Sequence, residues 1–542
     1  MKWECKPPVH CIAGTSSSKW TRAVRDTLSY KSMKKVLLAV LMGVAAFGAT
    51  PRKPKLVVAI IIDQFRYDYL TRFREEFSTG FDRLLTRGAV FTNANYIHFP
   101  TLTAVGHSTF LSGATPSLSG IVGNDWYDRE EGGHVTSVSD GKTQMLGGSG
   151  PGASPRRLLV STLGDELKMA HGAKSHVIGV SLKDRAAILP AGHMADGAYW
   201  FDLASGNFVS STYYFADLPA WVKEFNNTHS AEKYRGVTWL THHLPTDLKQ
   251  LYGNDTASPL ESSPCGNDLV EQFAESAMVE ERLGKHESTD LLTISYSSND
   301  KVGHDYGTYS PEEHEITVKT DRVLDRLFAA LERQVGLDNV IVVLSGDHGV
   351  APSAAEAAAN RMPGGRMAPG AIRETIQSAL SRKYGDGEWI AGNWDLLFYL
   401  NLDVIARKNL NAAEVRRTAA EAALSVPHIA RAYTRDQLLS GAVPGDEMSR
   451  SVMNGFNVRR SPDVVLMPEP YWMITSARAT THGTTYLYDT HVPVIFMGSG
   501  IRPGRYDESV IPNDIAPTLA TILEIETPSG SIGRVLTEMF AQ

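Results

Sequence analysis

The chain has 542 residues, with 53 Lys and Arg against 60 Asp and Glu for a formal net charge of −7, and 42% of it is hydrophobic. With its 46 Gly, about half of the chain is apolar or Gly, the ordinary share for a globular protein, so disorder as the main state is excluded. The mild acidity supplies no basic face for nucleic acid, and no nucleic-acid partner is expected.

Met33-Lys34-Lys35 followed by the 14-residue apolar run Val36 to Ala49 reads as a signal peptide, because that run is too short to span a bilayer. Residues 1–48 are then a leader whose true start is Met1 or Met33, and residues 49–55 form a polar linker. The expected mature protein is exported, periplasmic or secreted, without a stable membrane anchor. Of Cys5, Cys11 and Cys265 it keeps only the last, which leaves no internal disulfide and no thiolate metal site.

From residue 56 onward, β-branched apolar runs repeatedly stop at charged or imidazole side chains. Leu56 to Ile62 ends in Asp63, and Val177 to Val180 leads into Ser181-Leu182-Lys183-Asp184-Arg185. Leu291 to Tyr296 leads to Asp300 and His304, and Val340 to Leu344 leads to Asp347-His348. Short continuous apolar runs separated by helical stretches predict an α/β fold with a mostly parallel sheet buried on both faces. Functional groups in such folds gather beyond the carboxyl ends of the strands. Helices are expected over Pro155 to His171, Pro311 to Val335 and Asp514 to Glu524, the last with Pro517 in its first turn, where a missing N–H costs nothing. Residues 190–285 read as a loop-rich cap. Residues 355–475 read as an inserted α+β subdomain, with strands at Leu396 to Leu402 and Asp463 to Met467 around a helix at Asn411 to Leu424.

Asp63, Asp300, His304, Asp347, His348 and His482 form a ligand set of three carboxylates and three imidazoles without a thiolate, which suits a pair of zinc ions. In Phe99-Pro100-Thr101-Leu102-Thr103, the hydroxyl of Thr103 opens a small-residue helix, as an N-cap or as a nucleophile at an anion-favouring helix N-terminus. Nearby metal ligands favour the nucleophile, since coordination activates a hydroxyl. His107, one turn later, reads as a structural residue holding that turn.

The segments FPTLTAVGHSTFLSGATPSLSGIVGNDWYD, SLKDRAAILPAGHMADGAYWFD, Asp300-x-x-x-His304, SGDHG and THGTTYLYDTHVPVIFMG together resemble the alkaline phosphatase superfamily, in order across residues 56–540. More narrowly they resemble its PafA-type bacterial alkaline phosphatases, relatives of the nucleotide pyrophosphatase/phosphodiesterases. The resemblance implies a three-layer core and a zinc-dependent phosphate monoester hydrolase that acts as a monomer through a phosphothreonine at Thr103. It implies that Asp63, Asp347 and His348 with Thr103 hold one zinc, and Asp300, His304 and His482 the other. Asn124, Lys183 and Arg185 would contact the phosphoryl oxygens, the two cations on the side away from the metals, where they favour a monoester over a diester. A phosphodiesterase of the same superfamily is the alternative.

Overall fold

In the computed structural model, the described residues are 53–254, 257–475 and 478–541. The leader and linker expectations fall on residues 1–52, outside the described residues except for the linker's last three positions. In chain order the main sheet takes β1 (Leu56–Ile62), β2 (Ala89–Asn95), β3 (Ser139–Leu146), β4 (Pro151–Ala153), β5 (Val177–Ser181) and β6 (Gly197–Asp202). It continues with β7 (Asn207–Ser211), β8 (Asp290–Tyr296), β9 (Val340–Gly346), β10 (His491–Gly498) and β11 (Gly504–Val510). The spatial order is β11-β2-β10-β9-β1-β8-β5-β6-β7-β3-β4. The five central strands, β9, β1, β8, β5 and β6, are mutually parallel. Both margins turn antiparallel, at β9 with β10 and at β6 with β7.

The central strands are apolar throughout because both of their faces are covered. Val58, Ile60 and Ile62 of β1 pack with Phe273 of α3 (Pro264–Glu280) and with Leu324 and Leu327 of α5 (Pro311–Gln334). The alternate residues Val57, Ala59 and Ile61 face the opposite layer, with Phe110 of α1 (Thr103–Ser112) and Leu519 of α6 (Ile515–Leu523). This is the expected three-layer arrangement, and each fully buried aliphatic chain in it contributes about 1.5–3 kcal/mol.

Register carries the chemistry to one edge. Ile62 pairs with Gly346 on one side and with Tyr296 on the other, so the next residues, Asp63 and Asp347, emerge side by side. Ser181 pairs with Ser295, which sets Lys183 beside the start of α4 (Ser298–Tyr306).

Details differ from expectation at three places. Residues 190–285 hold short elements and loops between Thr212 and Ser263, but they also supply β6, β7 and the 17-residue α3, whose apolar positions lie in the main core. The expected helix over Pro155 to His171 is a 3₁₀ turn at Pro155–Arg157 and then a helix at Leu163–His171, because Thr162 and Asp165 form a capping box that starts the helix late. The strand expected to end at Leu402 is Leu397–Leu400, followed by a helix at Leu402–Arg407 capped by Asn401.

Within 355–475 a four-stranded antiparallel sheet runs Ile390–Trp394, Leu397–Leu400, Val464–Pro468 and Ile429–Thr434. Helices Ala371–Tyr384 and Ala412–Leu424 pack with it around Trp389 and Tyr399. Among the described residues no helix is long and apolar enough to cross a membrane.

Candidate active site

Asp63, Asp347 and His348 offer ligand atoms within 4.8 Å of one another, and so do Asp300, His304 and His482. The first group sits on the ends of β1 and β9. The second combines α4, where Asp300 and His304 are one turn apart, with the loop that carries His482. All three imidazoles are fixed through Nδ1, which donates to the carbonyl of Gly349 at 2.9 Å (His348), of Thr480 at 2.9 Å (His304) and of Thr101 at 2.8 Å (His482). That tautomer leaves each Nε2 lone pair free for a cation, the usual outer-shell arrangement of a metal-binding histidine.

The residues fit a metal. Asp63 Oδ1, Asp347 Oδ2 and His348 Nε2 are buried without a hydrogen-bond partner, which is costly unless a cation meets them. Burial, reinforced by Asp347, pushes the Asp63 carboxyl up to about 7, and burial pushes Asp347 up to about 6. Burial also holds His348 well below the usual imidazole range. In the second group burial would raise Asp300, but Lys183 and His304 outweigh it and hold the carboxyl well below the usual range. Against its burial, His482 is raised by the neighbouring Asp300 carboxylate.

Thr103 is the first residue of α1 and is 2% exposed. The helix can approach the metal groups because residue 106 is Gly: a Cβ there would stand 2.1 Å from the Asp347 carbonyl oxygen. Asn124 Oδ1 accepts the Ala104 N–H at 2.8 Å, so that side chain lies against the same helix start. His107 has the structural role expected of it. Its two ring nitrogens lie 2.8 Å from the Thr103 carbonyl oxygen and 2.8 Å from Ser295 Oγ, and burial lowers its pKa to about 4.

Lys183 departs from expectation. Rather than facing away from the metal groups, its ammonium donates to Asp63 Oδ2 at 2.6 Å and Asp300 Oδ2 at 2.7 Å, joining one carboxylate of each group. Arg185, at the start of α2 (Asp184–Ala191), has its side chain 28% exposed and a buried Nε without a partner, so its guanidinium is the cation with donor capacity to spare. The sequence reading missed Gln64 and Asp489. Asp489 Oδ2 accepts the N–H groups of Gly483 and Thr484 and fixes the loop after His482. Gln64 follows Asp63 at the end of a wholly apolar strand, and a second polar residue there is the one weak signal the sequence offers. A cleft opens beside the site, lined by Leu102, Asn124, Trp394, Leu396 and His482.

The model of the type I phosphodiesterase / nucleotide pyrophosphatase family matches residues 57–492, which include every candidate site residue. The chain belongs to that family. It is 36% identical to alkaline phosphatase PafA of Elizabethkingia meningoseptica, over 94% of this chain and 99% of that protein. It is 34% identical to alkaline phosphatase PhoV of Synechococcus elongatus, over 91% and 94%. The crystal structure of wild-type PafA superposes with a TM-score of 0.84 at 34% identity, covering 91% of this chain and all of that one. A PafA variant with a Thr, an Asn, a Lys and an Arg substituted together matches equally well. The fold and the enzyme class expected from sequence both hold.

Proposed function

We propose that this protein is a zinc-dependent alkaline phosphatase that hydrolyses phosphate monoesters through a phosphothreonine at Thr103. The observation that carries the reading is the convergence of two carboxylate–imidazole groups on a helix N-terminus that begins with a buried threonine. Its family members PafA and PhoV are named alkaline phosphatases, and the PafA variant's four substituted residue types occur here in the same order as Thr103, Asn124, Lys183 and Arg185, with the same Thr-to-Asn and Lys-to-Arg spacings.

Asp63, Asp347, His348 and Thr103 would hold one ion and Asp300, His304 and His482 the other. The pair would supply Lewis acidity toward the attacking and leaving oxygens. Thr103 Oγ1 attacks phosphorus in line while the alcohol departs, and water later cleaves the phosphothreonine, so configuration at phosphorus is retained overall. Asn124 and the α1 N-terminus donate to the phosphoryl oxygens, and Arg185 spans two of them as a planar fork. Lys183 keeps Asp63 and Asp300 neutralised and brings positive charge to the phosphoryl group, whose charge stays on its non-bridging oxygens in a loose transition state. Trp394 and Leu396 give the leaving-group side an apolar wall. The product is inorganic phosphate, the protein acts as an exported monomer, and no nucleic acid takes part.

Acid quenching during turnover of an aryl phosphate, followed by peptide mapping, tests this. Phosphate on Thr103 supports it, and phosphate on another residue, or none under single-turnover conditions, rejects it.

A further inference from the structure

Gln64 touches both candidate metal groups without belonging to either. Its backbone N–H donates to Asp347 Oδ1 at 3.0 Å, and its side-chain amide donates to Asp300 Oδ1 at 2.8 Å. These are distinct roles: the first hydrogen bond leaves Asp347 Oδ2 free among the ligand atoms of the first group, and the second reaches the Asp300 oxygen that lies 3.2 Å from His304 Nε2 and 3.6 Å from His482 Nε2. The side chain is 2% exposed and its backbone has φ +63, the left-handed region that a non-glycine residue adopts at a cost. That turn lets one residue present its main chain to one group and its side chain to the other.

The amide orientation follows from chemistry. Asp300 Oδ1 is an acceptor, so the NH₂ end must face it. The amide oxygen is then left against Gly303, where a Cβ would stand 1.9 Å from Gln64 Oε1 and 3.4 Å from Glu313 Oε2. Both oxygens are buried and unpartnered, and the absence of a side chain at residue 303 is what makes room for them.

We infer that Gln64 is a positioning residue that sets the two metal groups at a fixed separation, acting on the Asp300 group through its side chain and on Asp347 through its main chain. The inference rests on the two-metal reading above. Outer-shell partners of this kind change metal affinity by about 10–100-fold. Losing the amide should therefore weaken one ion and spare the other, because the backbone donor to Asp347 survives any side-chain substitution.

Gln64→Met keeps the length and volume and removes the donor, and Gly303→Ala drives a methyl into the amide without altering a ligand. Zinc affinity of the full chain would be measured by competition with a chromophoric chelator, with kcat and KM at saturating zinc and thermal unfolding in chelator recorded alongside. The wild type should bind two zinc ions. Both variants should weaken one of them at least 10-fold, leave the other within about 2-fold, and lower kcat more than they change KM. Two zinc ions at wild-type affinity in Gln64→Met, or equal weakening of both, would overturn the inference, and Gln64→Met decides alone if Gly303→Ala does not fold. A wild type that binds no zinc would instead overturn the functional reading, so the two failures are distinguishable.

Discussion

The two candidate metal groups use the same ligand types on different supports. Asp63, Asp347 and His348 stand on the ends of adjacent parallel strands, each fully buried, with a ligand atom of each left unpartnered. Asp300, His304 and His482 come from a helix and a distant loop, and Asp300 already meets Lys183, Gln64 and both imidazoles. Lys183 donates to one carboxylate of each group, but Asp63, Asp347 and His348 still keep three unpartnered ligand atoms, whereas Asp300 also meets Gln64 and the imidazoles. A cation should therefore matter more to the first, and the ion of the second should leave first as chelator is raised.

Removing the proposed nucleophile has the largest expected effect. Thr103→Ala should lower kcat by about three orders of magnitude or more while zinc content stays at two. Zinc analysis beside the rate checks this, and loss of zinc would mean that the threonine holds the metal more than it serves the chemistry. Next, Asp347→Asn should release the first-group ion and lower the melting temperature of the zinc-loaded protein more than Asp300→Asn does. Equal effects would erase the distinction between the groups.

Arg185→Ala should cost monoester kcat/KM on the order of 10–100-fold, the loss of one charge-assisted contact of about 1.5–3 kcal/mol, with zinc unchanged and diester hydrolysis falling less. Lys183→Ala should differ by also disturbing zinc affinity, because its ammonium joins Asp63 to Asp300.

The smallest effect is a pH dependence. Folded Asp63 and Asp347 keep protons up to about 7 and 6, while the unfolded chain loses them near the ordinary carboxylate value of about 3.9. Between those limits the folded state binds more protons, so these two groups cost stability as pH rises from about 4 to 7. Asp300, held low, has the opposite sign and contributes stability that is lost as pH falls below the ordinary carboxylate range. Chelated protein should accordingly melt lower at pH 8 than at pH 6, and zinc should narrow that difference. A flat profile in chelator would contradict the raised carboxyls.

Much of this was legible in the sequence, because strands buried on both faces print as unbroken runs such as Leu56–Ile62 and the residues after them fall at one sheet edge. The candidate ligands converge in three dimensions for that reason. What the sequence hid depended on contacts between distant segments. Trp200 and Phe208 sit in strands that read as loops, since each faces a different partner layer. Lys183 had an expected function but the wrong orientation, because a charge pattern does not show that Asp63 and Asp300 flank one ammonium. Gln64 has no periodicity to betray it, and its role exists only in its contacts with residues 236 and 283 positions away.

The central claim, a two-metal phosphatase that prefers monoesters, is tested most directly by kcat/KM for a matched aryl phosphate monoester and diester at one pH, with zinc counted on the same sample. The account predicts about two zinc ions per chain and a monoester rate constant that exceeds the diester's by at least about 10-fold, falling toward equality in Arg185→Ala. A diester preference in the zinc-loaded protein, or full monoester turnover in a metal-free sample, would contradict it.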